Sequence, residues 1–335
     1  MVDTSAMDGS PGSGPAKAFI SVIVATHSPE RLNDLQGLLD SLRAQTYPFV
    51  ETIVVVEHAK ELCDEIASYA LTKGITSLQV LYNDGSPGLS SNRNLGVQRA
   101  SGDIIAFIDD DAIAFPDWAS EIAQTFSENE GVIGVTGPAL PKWEESDLAW
   151  LPEECYWLVS CTAYAKWNEL RETRGAWGMN MAFRREAFSL AGSFSTATGY
   201  TAAGKRYQLV PEDLEFSLRI RRLSGQRIVY NPRVGVWHRV HPSRLAWRFV
   251  AVRSFGVGYC QRFARHYFSD LEQFKLEEQV AKRTMVLFLR SLGRLFTGRV
   301  NAGRTVVLTG LVLACAAAGY LTALFRPPVH LARTA

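Results

Sequence analysis

Asp109, Asp110 and Asp111 stand in a row at the end of a short, wholly apolar run, Ile104 to Ile108. Such a run reads as a strand buried on both faces. Adjacent carboxylates at its end raise one another's pKa unless a cation neutralises them. A divalent ion that bridges a carboxylate and a diphosphate does this. Mg²⁺ suits the task, because it prefers oxygen ligands and takes one or two carboxylates beside phosphate. A solvated acidic turn is the competing reading. Upstream, NDGSPGLSSNRNLGVQRASGD covers residues 83–103. Its Gly85, Gly88 and Gly96 allow tight turns, and Asn92–Arg93–Asn94 sets a fixed cation and two amides near the same edge. Arginine holds phosphate or carboxylate bidentately. A second acidic group, Glu212–Asp213–Leu214–Glu215, opens a helix after Pro211. Carboxylates in a first turn are favoured by the helix dipole, by about 0.3–1 kcal/mol each, without any catalytic role.

The elements that position these groups alternate. Phe19–Ala25, Glu51–Val56, Leu78–Leu81, Ile104–Ile108 and Val132–Gly137 read as strands. Arg31–Ala44, with Leu at 32, 35, 38, 39 and 42, reads as a helix, as do Glu61–Leu71, Leu89–Arg99 and Trp118–Asn129. Strands alternating with helices in short units imply an α/β fold with a mostly parallel sheet flanked by helices. In such sheets ligands bind beyond the carboxyl ends of the strands, where Asp109–Asp111 lies. The alternation breaks over Pro138–Arg174, which is rich in Trp and charge without a clear period. Gly178–Ala187 then reads as strand into helix, Glu212–Leu223 as a helix and Arg227–Tyr230 as a strand.

The 335 residues carry a net charge of +1, which gives no global argument for nucleic acid. Five cysteines lie far apart with no CxxC pair, which excludes a zinc or disulfide framework and implies reduced thiols. Residues 1–18 are rich in Gly, Ser and Pro and read as a flexible tail. Residues 19–265 read as one α/β domain and 266–304 as a helical or interfacial linker. Thr305–Phe325 is uncharged and matches the roughly 20 residues that cross a bilayer; an Ala-rich buried helix is the alternative. Residues 326–335 form a short tail. Arg290, Arg294, Arg299 and Arg304 precede the run and only Arg326 and Arg333 follow it, a bias that puts the bulk of the chain in the cytoplasm.

The order of motifs resembles the family 2 glycosyltransferases of GT-A (nucleotide-diphospho-sugar transferase) fold. ISVIVATHSPERL resembles their opening strand and turn, SSNRNLG their ARNxG segment and IAFIDDDA their DxD strand. WGMNMAFRREAFSLAGSF resembles their acceptor segment, and VPEDLEFSLRI their ED motif. The resemblance implies inverting transfer from a nucleotide diphosphate sugar with a divalent metal, Mg²⁺ or Mn²⁺. Asp111 then binds the metal, with Asp109 as a further ligand or beside the ribose. Thr26 and Glu30 lie near base and ribose, and Asn92, Arg93 and Asp110 line the donor site. Glu57 stands where the family has the first Asp of DDGS. Here VVEHAK replaces that motif and the Gly is lost, so the uracil and guanine nucleotides both stay open.

A hydroxyl acceptor needs a base, and Asp213 is assigned that role, with Glu212 contacting the acceptor or orienting the loop. Glu215, Asn180 and Trp177 are acceptor-site candidates; Trp177 abuts Gly178. His238, in VWHRVHPSRLAWRF, is a candidate metal or diphosphate ligand, against an ordinary structural histidine. Arg239, Arg244, Arg248 and Arg253 suit lipid headgroups or a lipid-linked diphosphate, or else an ordinary solvated face. The layout is similar to membrane-anchored enzymes that extend polyprenyl- or dolichyl-linked glycans, with one C-terminal span and a cytoplasmic catalytic domain. The rivals are direct transfer to a polyprenyl phosphate, a soluble acceptor, a non-catalytic nucleotide-sugar-binding protein, and a nucleotidyltransferase, for which no Gly-rich signature is present.

Overall fold

The computed structural model describes residues 17–196, 211–267, 275–295 and 301–325. The expected tails, and Arg299, Arg326 and Arg333, lie outside these residues except for the last two positions of the first tail. The first half alternates as its periodicity requires: β1 (Ile20–Thr26), α1 (Leu32–Arg43), β2 (Val50–Glu57), α2 (Lys60–Lys73), β3 (Leu78–Asn83), α3 (Leu89–Arg99) and β4 (Ile104–Ile108). Then follow β5 (Ala112–Ala114), α4 (Trp118–Glu128), β6 (Val132–Thr136), β7 (Ala139–Trp143), β8 (Arg171–Thr173), β9 (Asn180–Arg184) and α5 (Glu186–Ala191). The remaining elements are α6 (Glu212–Ser224), β10 (Arg227–Tyr230), β11 (Val236–Val240), α7 (Trp247–Tyr267), α8 (Lys275–Leu295) and α9 (Ala302–Phe325).

Eight strands form the main sheet in the order β3-β2-β1-β4-β9-β6-β10-β8. β1 runs parallel to β2 and β4, β2 to β3, and β6 to β10. β9 runs antiparallel to both β4 and β6, and β8 antiparallel to β10. The sheet is therefore mixed, with six strands running one way and β9 and β8 against them. The physical reason is connectivity. The chain reaches the slot between β4 and β6 from the loop over the strand ends, with no crossover helix to carry it back first. Asn180 pairs with Ile108, so the loop before β9 is held beside the carboxyl end of β4.

The two faces of the sheet are covered differently. Leu35, Leu38 and Leu39 of α1 and Ile122 and Phe126 of α4 pack with β1, β2 and β4 on one side. Phe107, Phe183, Phe194 and Phe216 form an aromatic layer under α5 and α6 on the other. The buried Glu51 is satisfied by hydroxyls and a backbone N–H from Ser21 and Ser101, at the end of the sheet away from Asp109. A second sheet, β5-β11-β7, was not expected. It is short, and one of its strands contains Pro141, so the sequence carries little signal for it.

α9, of 24 residues, is the one helix among the described residues long and apolar enough to cross a membrane, with mean hydropathy 2.0 over its most apolar 18-residue window. At 1.5 Å per residue it is about 36 Å long. It is also docked on the protein. Leu308 and Val312 join a buried cluster with Leu151, Cys155, Leu158 and Val250. α7 and α9 meet backbone to backbone: a Cβ on Gly258 would stand 1.9 Å from the Ala316 carbonyl oxygen, and one on Gly319 2.0 Å from that of Phe255. Around Gly256, two residues before Gly258 and so on another face of α7, nothing lies within 4 Å of a Cβ position.

Gly319→Leu is expected to destabilise the chain by about 1–3 kcal/mol through overpacking of this crossing. Gly256→Ala is expected to leave stability unchanged or raise it, because helix propensity favours Ala. Thermal unfolding of the detergent-solubilised protein measures both.

Candidate functional site

Strand register builds the acidic site. β4 ends at Ile108, and the Ala112 N–H donates to the Asp109 carbonyl at 3.1 Å, closing Asp109–Asp111 into a turn. β5 pairs with β11 so that Ala112 faces His238, and the Arg239 N–H donates to the Asp111 carbonyl at 3.0 Å. This brings ligand atoms of Asp109, Asp111 and His238 to within 4.8 Å of one another. His238 is fully buried. Its Nε2 lies 3.2 Å from Asp111 Oδ1, yet neither ring nitrogen has a hydrogen-bond partner among the described residues. An orphaned imidazole between two carboxylates fits a divalent cation that accepts nitrogen as well as oxygen.

Arginines from other elements face the same carboxylates. Arg31, in the turn after β1, places Nη1 2.6 Å from Asp111 Oδ2 and 3.9 Å from Asp110 Oδ1. Arg244 Nη2 is 3.4 Å from Asp111 Oδ2. Burial alone would raise the Asp111 carboxyl, but His238, Arg244 and Arg31 outweigh it and hold it well below the usual carboxylate range. Asp110 behaves oppositely. Burial and the charge on Asp111 push it up to about 7, against Arg31 and the Thr26 hydroxyl, which donates to Asp110 Oδ2 at 2.7 Å. Asp109 is raised as well, chiefly by burial, with Arg93 opposing. The run Asp109–Asp111 is thus divided into one firmly ionised carboxylate and two poised for a cation.

Arg93 joins this acidic turn to the second one. It is buried on α3, with Nη1 2.5 Å from Glu212 Oε1 and Nη2 donating to the Gly178 carbonyl at 2.9 Å. Nη2 also lies 3.5 Å from Asp109 Oδ1. The Glu212 carboxyl is raised by burial, although Arg93 works against this. Asp213, next to it at the start of α6, accepts from the Gly178 N–H at 2.6 Å and from its neighbour Leu214 N–H at 2.7 Å. A side chain on Gly178 would crowd both groups: a Cβ would stand 3.0 Å from Arg93 Nη2 and from Asp213 Oδ2.

One cavity of about 1910 Å³ collects most of the sequence candidates. Thr26, Glu30, Glu57, Asn92, Arg93, Asp109 and Asp110 line one part, and Trp177, Glu212 and Asp213 another. Glu57 and Asn92 are partly committed to structure. Glu57 accepts from the Gly88 N–H and from Asn92 Nδ2, both at 2.7 Å, which clamps the start of α3. Trp177 packs with Trp167 and Tyr230 at the cavity wall. Trp157 and Trp167 line it too.

Two acceptor candidates are not brought to the cavity. Glu215 is buried on the far side of α6, held by Arg219 at 2.7 and 2.9 Å. Residues two apart on a helix do not share a face. Asn180 is fully buried, accepts from Trp118 Nε1 at 2.8 Å and donates to the Val234 carbonyl at 2.7 Å. It ties the sheet together and leaves no group free. Arg31 was missed as a site residue. Its signal was its place five positions beyond the end of β1, at the same sheet edge as Asp109.

A model of the family described as glycosyl transferase family 2 matches residues 21–190. The chain is 32% identical over 243 residues to the glucosyl-dolichyl phosphate glucuronosyltransferase of Haloferax volcanii, covering 72% of this chain and 76% of that protein. It is 25% identical to the succinoglycan biosynthesis protein ExoM of Rhizobium meliloti, over 68% of this chain and 70% of that one. Among solved structures, the mannosyltransferase PcManGT from Pyrobaculum calidifontis, in complex with GDP-Man and Mn²⁺, superposes with a TM-score of 0.61 at 16% identity. The match covers 92% of this chain and 88% of that one, and shows that the fold is GT-A-like.

Arg93→Met is expected to destabilise the chain by about 3–5 kcal/mol, because it strands the buried Glu212. Adding Glu212→Gln is expected to restore much of this loss. A double-mutant cycle in denaturant measures the coupling, and additive effects would count against Arg93 as the partner of Glu212.

Proposed function

The chain belongs to glycosyl transferase family 2, and from that premise we propose that it transfers a sugar with inversion from a nucleotide diphosphate sugar to a hydroxyl of a polyprenyl- or dolichyl-linked glycan at the cytoplasmic face of a membrane. One observation carries the reading. The cavity that holds Asp109, Asp110 and Asp213 continues to Val312, Leu313 and Ala316 of α9. The reacting groups and the most apolar helix therefore open on one space. The Haloferax volcanii relative, named for a dolichyl phosphate substrate, supports a lipid-linked acceptor. The Pyrobaculum calidifontis structure, with its GDP-Man and Mn²⁺, supports a nucleotide sugar and a divalent metal.

In this reading Thr26, Glu30 and Asn92 surround the nucleotide, and Asp109, Asp111 and His238 hold the divalent cation. When bound, the cation neutralises charge on the diphosphate leaving group. Arg31 and Arg244, already aimed at Asp111, stay close enough to add their own charge there. Asp213 takes the proton from the acceptor hydroxyl as its oxygen attacks the anomeric carbon. The new glycosidic C–O bond forms as the bond to the diphosphate breaks, and the nucleoside diphosphate departs. Gly178 N–H fixes Asp213 Oδ2, and Arg93 fixes Glu212 beside it. Trp177 offers a flat face for a sugar ring at the wall of the acceptor part.

α9 crosses the bilayer in this proposal, and the exposed Met285, Val286 and Leu289 of α8 meet its surface. A catalytic domain docked on its own anchor confines enzyme and acceptor to one surface, which raises their effective concentration.

The test uses detergent-solubilised full chain, Mg²⁺ or Mn²⁺, a panel of UDP- and GDP-sugars carrying label, and a membrane lipid extract. Label is expected in the lipid phase and is lost with chelator. Asp213→Asn is expected to lower transfer by about 10²–10⁴-fold while keeping donor binding. Asp111→Ala is expected to weaken metal-dependent donor binding by at least about tenfold. Wild-type turnover by Asp213→Asn removes the base assignment, and nucleotide release without labelled lipid removes the lipid acceptor.

A further inference from the structure

The cavity is larger than a nucleotide sugar requires. Its volume of about 1910 Å³ exceeds the ~300–1,000 Å³ of ordinary small-molecule sites. Beyond Asp213 it runs between α7 and α9. Arg253, Gly256, Val257 and Cys260 of α7 line it at helical spacing, so they form one face. Val312, Leu313, Ala316 and Tyr320 do the same from α9. The walls there are largely apolar, with Gln261 and Glu278 among them, and the open space over Gly256 leaves a slot in the α7 wall.

Arg253 stands where this slot meets the catalytic part. Its Nε is enclosed and has no hydrogen-bond partner, and its Nη2 reaches only the Ser160 hydroxyl, at 3.3 Å. Among the described residues no carboxylate pairs with it, whereas Arg93, buried in the same cavity, has Glu212 and Asp109. A guanidinium enclosed without a counter-charge is costly, and an anion relieves that cost. Burial and the nearby Arg244 both loosen its hold on its proton, against Asp213, Tyr164 and Asp109. Arg244 and Arg248 line the same cavity and add positive charge to it. Asp213 acts electrostatically on Arg253, so an anion held there lies near the base.

We propose that Arg253 is the anion hold of an acceptor subsite for a phosphate or diphosphate ester on a long apolar chain, with that chain lying in the slot along Gly256, Val257, Val312 and Ala316. The proposal rests on the glycosyltransferase reading above and specifies the chemistry of its acceptor. The arrangement follows the order of groups in such a molecule. The tail lies against α9, the phosphate meets Arg253, and the sugar hydroxyl extends toward Asp213 and Trp177. The anion is recognised by charge and the tail by shape, so neither alone fills the site.

Farnesyl diphosphate is the probe, with farnesol, inorganic pyrophosphate and phosphatidylglycerol as comparators. Binding to the full chain in detergent is read by quenching of tryptophan fluorescence, since Trp157, Trp167 and Trp177 line the cavity. Farnesyl diphosphate is expected to bind the wild type, and Arg253→Gln to weaken it at least about tenfold. Gly256→Phe places a bulky ring in the slot, its folding is checked by thermal unfolding of the variant, and it is expected to weaken binding similarly. Farnesol and inorganic pyrophosphate are expected to bind much more weakly than the diphosphate ester.

Equal binding to the wild type and both variants overturns the proposal. So does inorganic pyrophosphate binding as tightly as the ester, which marks a free-anion site, or equal displacement by phosphatidylglycerol, which marks a site for bulk lipid. Sugar transfer to lipid that is undiminished in both variants leaves the function standing and removes this subsite. Farnesyl diphosphate binding that depends on both residues, without sugar transfer to the lipid extract, keeps the subsite and removes the acceptor reading.

Discussion

The structure depends on one electrostatic constraint: the run Asp109–Asp111 at the end of β4 is largely out of water and must be balanced. No single element supplies the balance. Arg31 comes from the turn after β1, Arg93 from α3, His238 from β11 and Arg244 from just beyond it. Each contributes only because the sheet order sets β1 beside β4, and because β5 turns back to pair with β11. The small sheet is therefore no appendage. Its register carries His238 to Asp111, and without it the carboxylates would lose a buried partner.

The balance is uneven, and the unevenness is informative. Asp111 is held ionised by three neighbours, while Asp110 and Asp109 are pushed toward the neutral form. Metal ligands must be deprotonated, so a cation bound here would displace protons as well as arginine contacts. Arg93 performs a different task. It binds Glu212, Gly178 and Asp109 together, so the two acidic groups of the cavity share one buried guanidinium. Gly178 sits between Arg93 and Asp213, where a side chain would crowd both. The loop carrying Trp177, the helix carrying Asp213 and the turn carrying Asp109 are consequently fixed relative to one another.

Legibility in the sequence follows the same physics. β1, α1, β4 and α6 announce themselves because their apolar patterns are long or unbroken. The direction of β9 is absent from its own residues, since NMAFR is equally good in either sense; the loop that delivers it decides. β5 has three residues, and β7 holds a proline, so the second sheet exists only through partners distant in the chain. The acidic runs at 109–111 and 212–213 stood out as runs. Glu215 was drawn in by adjacency alone, and helical geometry turns it away to Arg219. Asn180 was drawn in similarly and proves to be a strut of the sheet. Arg31 was missed as a site residue, because its place just beyond β1 becomes a signal only once β1 and β4 are known to be neighbours.

The C-terminal helix shows how the site and a membrane are related mechanically. A long apolar helix on a slack linker would confine the enzyme to a surface but leave the cavity free to point anywhere. α9 is not held that way. Gly258 and Gly319 let its backbone touch that of α7, and Leu308 and Val312 are buried against Leu151 and Cys155. α7 also carries Arg253, and the segment just before it carries Arg244. Close packing of this kind transmits position, because interiors are dense and yield little. The orientation of α9 therefore sets the orientation of the arginines, and through Arg244 that of the carboxylate cluster itself. The acidic groups and the arginines around them are thereby held in one geometry, the kind of preorganisation that a group transfer between two bound partners needs.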